Sequence, residues 1–130
     1  MASYHFSVKS KNKGYALGHY LYISRLMQYE GIRKTSNETV EHIEPGRCMP
    51  AFVKDPIEFW QAADTYERAN AKAYIEYEIA LPNEFTPDQR KMLVETFFDK
   101  HIVPQQYPHS YALHNVKSRL SGEEQPHCHL

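Results

Sequence analysis

The segment Pro126-His127-Cys128-His129-Leu130 carries two histidines one residue apart. In an extended stretch successive side chains leave on opposite faces, so His127 and His129 project from one face and Cys128 from the other. A third imidazole, His114, ends the alternating run Tyr111-Ala112-Leu113-His114, which reads as a neighbouring strand. Three neutral imidazoles on one sheet face can hold a divalent cation and still leave coordination positions open, which is the arrangement of catalysis rather than of structure. The chain has eight histidines, so the same spacing also describes an ordinary exposed pair. Two carboxylates form a second candidate constellation. Ala73-Tyr74-Ile75-Glu76-Tyr77-Glu78-Ile79-Ala80-Leu81 alternates strictly, placing Glu76 and Glu78 on one face with Tyr74 and Ala80. The plain alternative is the wet face of a half-covered antiparallel sheet.

The elements that must position these groups fit a single domain over residues 1–130. No run approaches the roughly 18 apolar residues of a membrane span, and Met1-Ala2-Ser3-Tyr4-His5 lacks a secretory pattern. A soluble, cytoplasmic protein without a membrane partner is expected. Cys48 and Cys128 are far apart and read as free thiols, with Cys128 facing away from the flanking histidines. The net charge is −1, but it is unevenly spread. Residues 1–36 hold six basic side chains against one acidic, whereas residues 37–99 hold 6 against 13. A basic N-terminal end can follow a phosphate backbone while an acidic remainder faces solvent, although a charge run is also simply a solvated surface.

Tyr4 to Lys9 alternates and reads as a strand ended by Lys11-Asn12-Lys13-Gly14. Tyr15 to about Tyr29 has helical spacing and places His19, Tyr22, Leu26 and Tyr29 on one face. Residues 31–56, with Pro45-Gly46, Pro50 and Pro56, read as a long connection with little regular structure. Ile57 to about Lys72 is a second helix that buries Phe59, Trp60 and Ala63, and the strand carrying Glu76 and Glu78 follows it. Thr86-Pro87-Asp88-Gln89 opens a third helix running to about Lys100, through a threonine cap and a proline in the first turn. His109 to about Val116 and His127 to Leu130 are the last strands, joined by a loop from Lys117 to Gln125. The expectation is an α+β domain, an antiparallel sheet with helices packed mainly on one face.

With these pieces in line, the chain resembles the N-terminal nuclease domain of the MobA/MobL plasmid mobilisation relaxases, members of the HUH (His-hydrophobe-His) endonuclease superfamily. The matching residues are Ala2-Ser3-Tyr4-His5-Phe6-Ser7-Val8-Lys9, then His19-Tyr20-Leu21-Tyr22-Ile23-Ser24-Arg25 with Tyr29. They continue with Phe59-Trp60-Gln61-Ala62-Ala63-Asp64, Glu67-Arg68-Ala69-Asn70 and Glu76 to Pro82, and end with Ala112-Leu113-His114-Asn115 and Gly122 to His129. The resemblance implies nicking of single-stranded DNA at a transfer origin through a 5′-phosphotyrosine, with Tyr22 in the position of the nucleophile. It implies His114, His127 and His129 as ligands of a divalent ion, magnesium or manganese, and accessory mobilisation proteins as further partners. Glu76, and less directly Glu78, fall where the family carries acidic side chains: Glu76 is expected to accept the tyrosine proton or to orient a ligating histidine. His19, one turn before Tyr22, is another candidate acceptor. Lys9, Lys13 and Arg25 are the candidates for DNA backbone contacts, and Tyr20 or Tyr29 for base stacking. The family domain continues beyond the histidine pair, so the fold is expected to be incomplete at the C-terminus. That keeps open a non-catalytic remnant that retains metal or single-stranded DNA binding.

Overall fold

The computed structural model describes residues 5–29 and 38–130. The elements follow in the order β1 (Phe6–Asn12), α1 (Ala16–Ser24), β2 (Glu38–Arg47), α2 (Pro56–Tyr66), β3 (Lys72–Ala80), α3 (Pro87–His101), β4 (His109–Lys117) and β5 (Glu124–His129). The five strands form one sheet in the order β1-β3-β5-β4-β2, every neighbouring pair antiparallel. The α+β class and the antiparallel sheet are as expected, but the helices divide between the two faces, α1 and α2 together on one and the longest, α3, on the other, because β4 is apolar or bonded on both sides. Among the described residues no helix is long and apolar enough to cross a membrane.

The alternation of β4 explains the layering. Tyr111 and Leu113 join Leu81, Val94, Phe98 and Cys128 in the core under α3. Ser110 and His114 point the other way, to Trp60 of α2 and Ile23 of α1. A strand covered on both faces has no wet side, and the seven residues from His109 to Asn115 are accordingly all buried. The polar members of that run are bonded: Ser110 donates to the Pro45 carbonyl and accepts from the Trp60 indole. Asn115 donates to Glu41, which also pairs with the buried guanidinium of Arg90.

The helix starts follow local chemistry. Asp55 accepts from the Glu58 N–H ahead of α2, and Thr86 and Gln89 exchange hydrogen bonds in a capping box ahead of α3, each helix with proline in its first turn. By contrast α1 begins after Tyr15, which offers no capping side chain. Its first turn is capped instead from α2: Asp64 accepts from Gly14, Ala16 and Leu17 N–H at 2.7, 2.9 and 2.9 Å. The expected helix to Tyr29 stops at Ser24 because Arg25 enters the left-handed region at φ 53°, leaving a short 3-10 turn at Met27–Tyr29.

The larger departure is β2. The segment 31–56, expected to be irregular, contains a ten-residue edge strand paired with β4. Its register shifts at Val40/His42 and again between Glu44 and Arg47, where Pro45-Gly46 is accommodated. Proline has no N–H for a ladder, so an edge position with an irregularity is where a sheet tolerates it. Residues 31–37 of that segment, like Tyr4 of the first expected strand, lie outside the described residues.

Pairing of β5 with β3 reaches Tyr77, through reciprocal bonds to Leu130 at 2.8 and 2.9 Å. Pairing of β5 with β4 reaches Ala112, opposite His129. Past those points Ala73 and Ile75 of β3 and His109 and Ser110 of β4 border a cavity of about 530 Å³, also lined by Tyr20, Trp60, Tyr107 and Leu130.

Candidate metal centre

Register brings the three histidines together. His114 stands directly opposite His127, and Ala112 opposite His129, so the three imidazoles share the face under α1. Their ring centroids are 4.8–5.6 Å apart, and one ligand atom from each lies within 4.8 Å of the others. Each ring is held by its other contacts. His114 Nε2–H donates to the Ile23 carbonyl at 2.8 Å, and His127 Nδ1–H donates to the Gln125 carbonyl at 3.1 Å. Those bonds set the tautomers and leave His114 Nδ1 and His127 Nε2 with lone pairs to offer. His129 Nδ1 lies 3.5 Å from a Glu76 carboxylate oxygen.

The electrostatics favour the neutral form of His114 and His127. Burial, with the nearby His129 charge in the same direction, pushes His114 down to about 4. Burial also lowers His127. Deprotonated imidazole is the ligand form, and His114 Nδ1 is buried without a hydrogen-bond partner. The donor set therefore fits a divalent cation. Glu76, Glu78 and His129 form an adjoining group with ligand atoms equally close, Glu78 standing opposite His129 across the β3–β5 pairing.

Glu76 is buried. One carboxylate oxygen faces His129 and the other contacts His19 Nε2, while the His19 ring stacks on Tyr74 at 5.2 Å. Burial pushes the Glu76 carboxyl up, but the His129 hydrogen bond and the charges of His19, His129 and Lys9 outweigh it, so the net direction is down. His19 is lowered, chiefly by burial, against the raising influence of Glu76.

Tyr22 sits on the last full turn of α1 and is 40% exposed. The carbonyl of the next residue, Ile23, is the one that holds His114. The Arg25 guanidinium lies 4.5 Å over the Tyr22 ring, and Tyr29 meets that ring edge-on at 5.4 Å.

The candidates for DNA contact separate. Lys9 is exposed on β1 directly opposite Glu76, and Lys13 is half-exposed in the turn before α1. Arg25 is only 2% exposed. Its guanidinium is committed to the Tyr22 carbonyl and to Glu38, so it serves inside the protein rather than on a phosphate backbone. Tyr20 is likewise buried, stacked near Trp60 at 6.4 Å, and offers no face to a base.

Two residues of this region escape a sequence reading. Glu38 reaches the site from β2, a strand hidden by its proline, glycine and charges, so no face could be assigned to it. Asp64 holds the start of the helix that carries Tyr22. It lay in a motif that matched the family, but its partners are 47–50 residues away.

The chain is 46% identical over 131 residues to a "43 kDa relaxation protein" of Salmonella typhimurium. It is 38% identical over 133 residues to "Mobilization protein A" of Escherichia coli. All of the chain is matched in both, but it spans 34% and 17% of those relatives. A solved structure titled "Molecular Basis of Vancomycin Resistance Transfer in Staphylococcus aureus" shares the fold at a TM-score of 0.72 with 21% identity, over 98% of this chain and 68% of that one. The MobA/MobL family profile matches residues 18–130, and with more than half its length so matched the chain belongs to the MobA/MobL family.

Proposed function

We propose that this domain nicks single-stranded DNA at a plasmid transfer origin, with Tyr22 as nucleophile and His114, His127 and His129 as ligands of a divalent ion, magnesium or manganese. The observation that carries the reading is the link through Ile23: its carbonyl fixes His114 at 2.8 Å, so the exposed tyrosine just before it is built into the same unit as the histidine cluster. When bound, the ion would supply Lewis acidity toward the scissile phosphate. The Tyr22 Oη attacks phosphorus, the bond from phosphorus to the 3′ oxygen breaks, and the products are a 5′-phosphotyrosine and a 3′-hydroxyl.

An unperturbed phenol is a poor nucleophile near pH 7 and needs cationic surroundings. In this reading the ion held by the histidines supplies them, and the Arg25 guanidinium packed over the Tyr22 ring holds that ring in place. The Tyr22 proton leaves to the solvent that reaches it, and the departing 3′ oxygen takes up a proton from the same source. Glu76, with one oxygen on His19 and the other facing His129, is assigned the role of positioning those rings rather than of base. Lys9 and Lys13 receive the DNA backbone. Accessory mobilisation proteins are further partners in this reading.

The test is a gel assay with a labelled single-stranded transfer-origin oligonucleotide and manganese, read as an SDS-resistant protein–DNA adduct. The adduct is expected with the chain and absent with Tyr22→Phe or with chelator. Manganese binding and DNA binding without an adduct would support instead the non-catalytic reading, and an adduct that persists in Tyr22→Phe would remove Tyr22 from its role.

A further inference from the structure

The carboxylate of Glu38 stands among the histidine nitrogens. On β2 Glu38 is opposite Val116, so it shares the face of His114 and His127. Its Oε1 is 2.7 Å from His114 Nδ1 and 4.0 Å from His127 Nε2. Those are the two nitrogens left over once Nε2 of His114 and Nδ1 of His127 have donated to backbone carbonyls.

The approach to His114 is close, yet Nδ1 makes no hydrogen bond and is completely buried. With the ring hydrogen already given to Ile23, an imidazole lone pair and a carboxylate oxygen face each other, two acceptors at contact distance. Such a pair repels unless a proton or a metal cation lies between, and with burial holding His114 in its neutral form a metal cation is the partner that fits. A spacing near this value is what two donors of one ion have, since nitrogen and oxygen ligands at about 2.0–2.2 Å from a common centre stand roughly 3 Å apart. The other oxygen, Oε2, is held by Arg25, which is also bonded to the Tyr22 carbonyl and stacked on its ring. The carboxylate is therefore fixed from behind and cannot swing freely out of the site.

We propose that Glu38 is a fourth protein ligand of the cation centre, completing a three-histidine, one-carboxylate set, and that its ion pair with Arg25 fixes that ligand relative to Tyr22. The inference rests on the reading of the three histidines as a cation site. An anionic oxygen lowers the net charge of the bound ion and adds a hard donor, which suits manganese better than three imidazoles alone.

The experiment is calorimetric titration of the purified full chain with Mn²⁺ alone, comparing wild type, Glu38→Gln, Glu38→Asp and His129→Ala. It is joined by a count of Mn²⁺-bound waters from proton relaxation. Glu38→Gln is expected to bind Mn²⁺ at least tenfold more weakly. Glu38→Asp keeps the charge but withdraws the oxygen by one methylene; it is expected to weaken binding similarly and to add one bound water. It also serves as the reading if Glu38→Gln fails to fold. Binding lost in His129→Ala but unchanged in both Glu38 variants, with an unchanged water count, would overturn the proposal and leave the histidine site standing. No binding by the wild type would instead overturn the histidine site and this proposal with it.

Discussion

Replacing Asp64 by alanine should loosen the helix that carries Tyr22 from a point far from the histidines. The Asp64 carboxylate accepts three backbone N–H groups at 2.7–2.9 Å, and Tyr15, at the cap position of α1, contributes no side-chain bond. Loss of a cap typically costs about 0.5–2 kcal/mol, and loss of a negative charge at a helix N-terminus about 0.3–1 kcal/mol. The three bonds share one carboxylate and are not additive, so the expectation is about 2 kcal/mol for Asp64→Ala. Asp64→Asn keeps one acceptor oxygen but not the charge and should lose about 1 kcal/mol. With a urea slope of about 1.5 kcal/mol/M, the alanine change lowers the unfolding midpoint by roughly 1.3 M. The assay is urea unfolding followed by far-ultraviolet circular dichroism, with chelator present so that cation binding does not contribute. Equal midpoints for wild type and Asp64→Ala would show that α1 does not depend on a cap lent by α2. A loss as large in Asp64→Asn as in Asp64→Ala would show that charge, not the shared oxygens, is what matters.

The pH dependence of stability follows from His114. Its folded value, about 4, lies below the usual 6.5, chiefly through burial, so the unfolded chain takes up a proton first as pH falls. Stability of the chelated protein is then complete above about pH 6.5 and declines toward pH 4, at about 1.4 kcal/mol per unit. Urea unfolding at pH 7.5 and 5 should differ by about 2 kcal/mol, and a flat profile would contradict the burial assigned to this ring.

Much of this domain was legible because its signals are local. Strict alternation from Ala73 to Leu81 gives β3 and puts Glu76 on the face it occupies. Thr86-Pro87 and Asp55-Pro56 mark two helix starts through bonds that span three residues. The His-x-His spacing places two imidazoles on one face whatever the strand's neighbours are. Where an element owes its form to a distant partner, the local signal misleads. The helix after Tyr15 ends at Ser24 because Arg25 turns its guanidinium into a buried pair with Glu38, and nothing in the leucine and tyrosine spacing announces that. Strand β2 looks like a loop because proline, glycine and charges dominate it, and it is a strand because β4 offers a free edge.

Sequence alone determined which side chains could make chemistry: three imidazoles, two carboxylates on one strand face and a tyrosine on a helix, each fixed by residue type and by the period of its element. Tertiary structure decided which of them meet. The order β1-β3-β5-β4-β2 sets His114 beside His127, brings Glu76 to His129, and carries Glu38 and Arg25 into the same cluster. Strand register and helix docking are chosen by burial and hydrogen bonding summed over the whole domain, a quantity that no short window of residues contains.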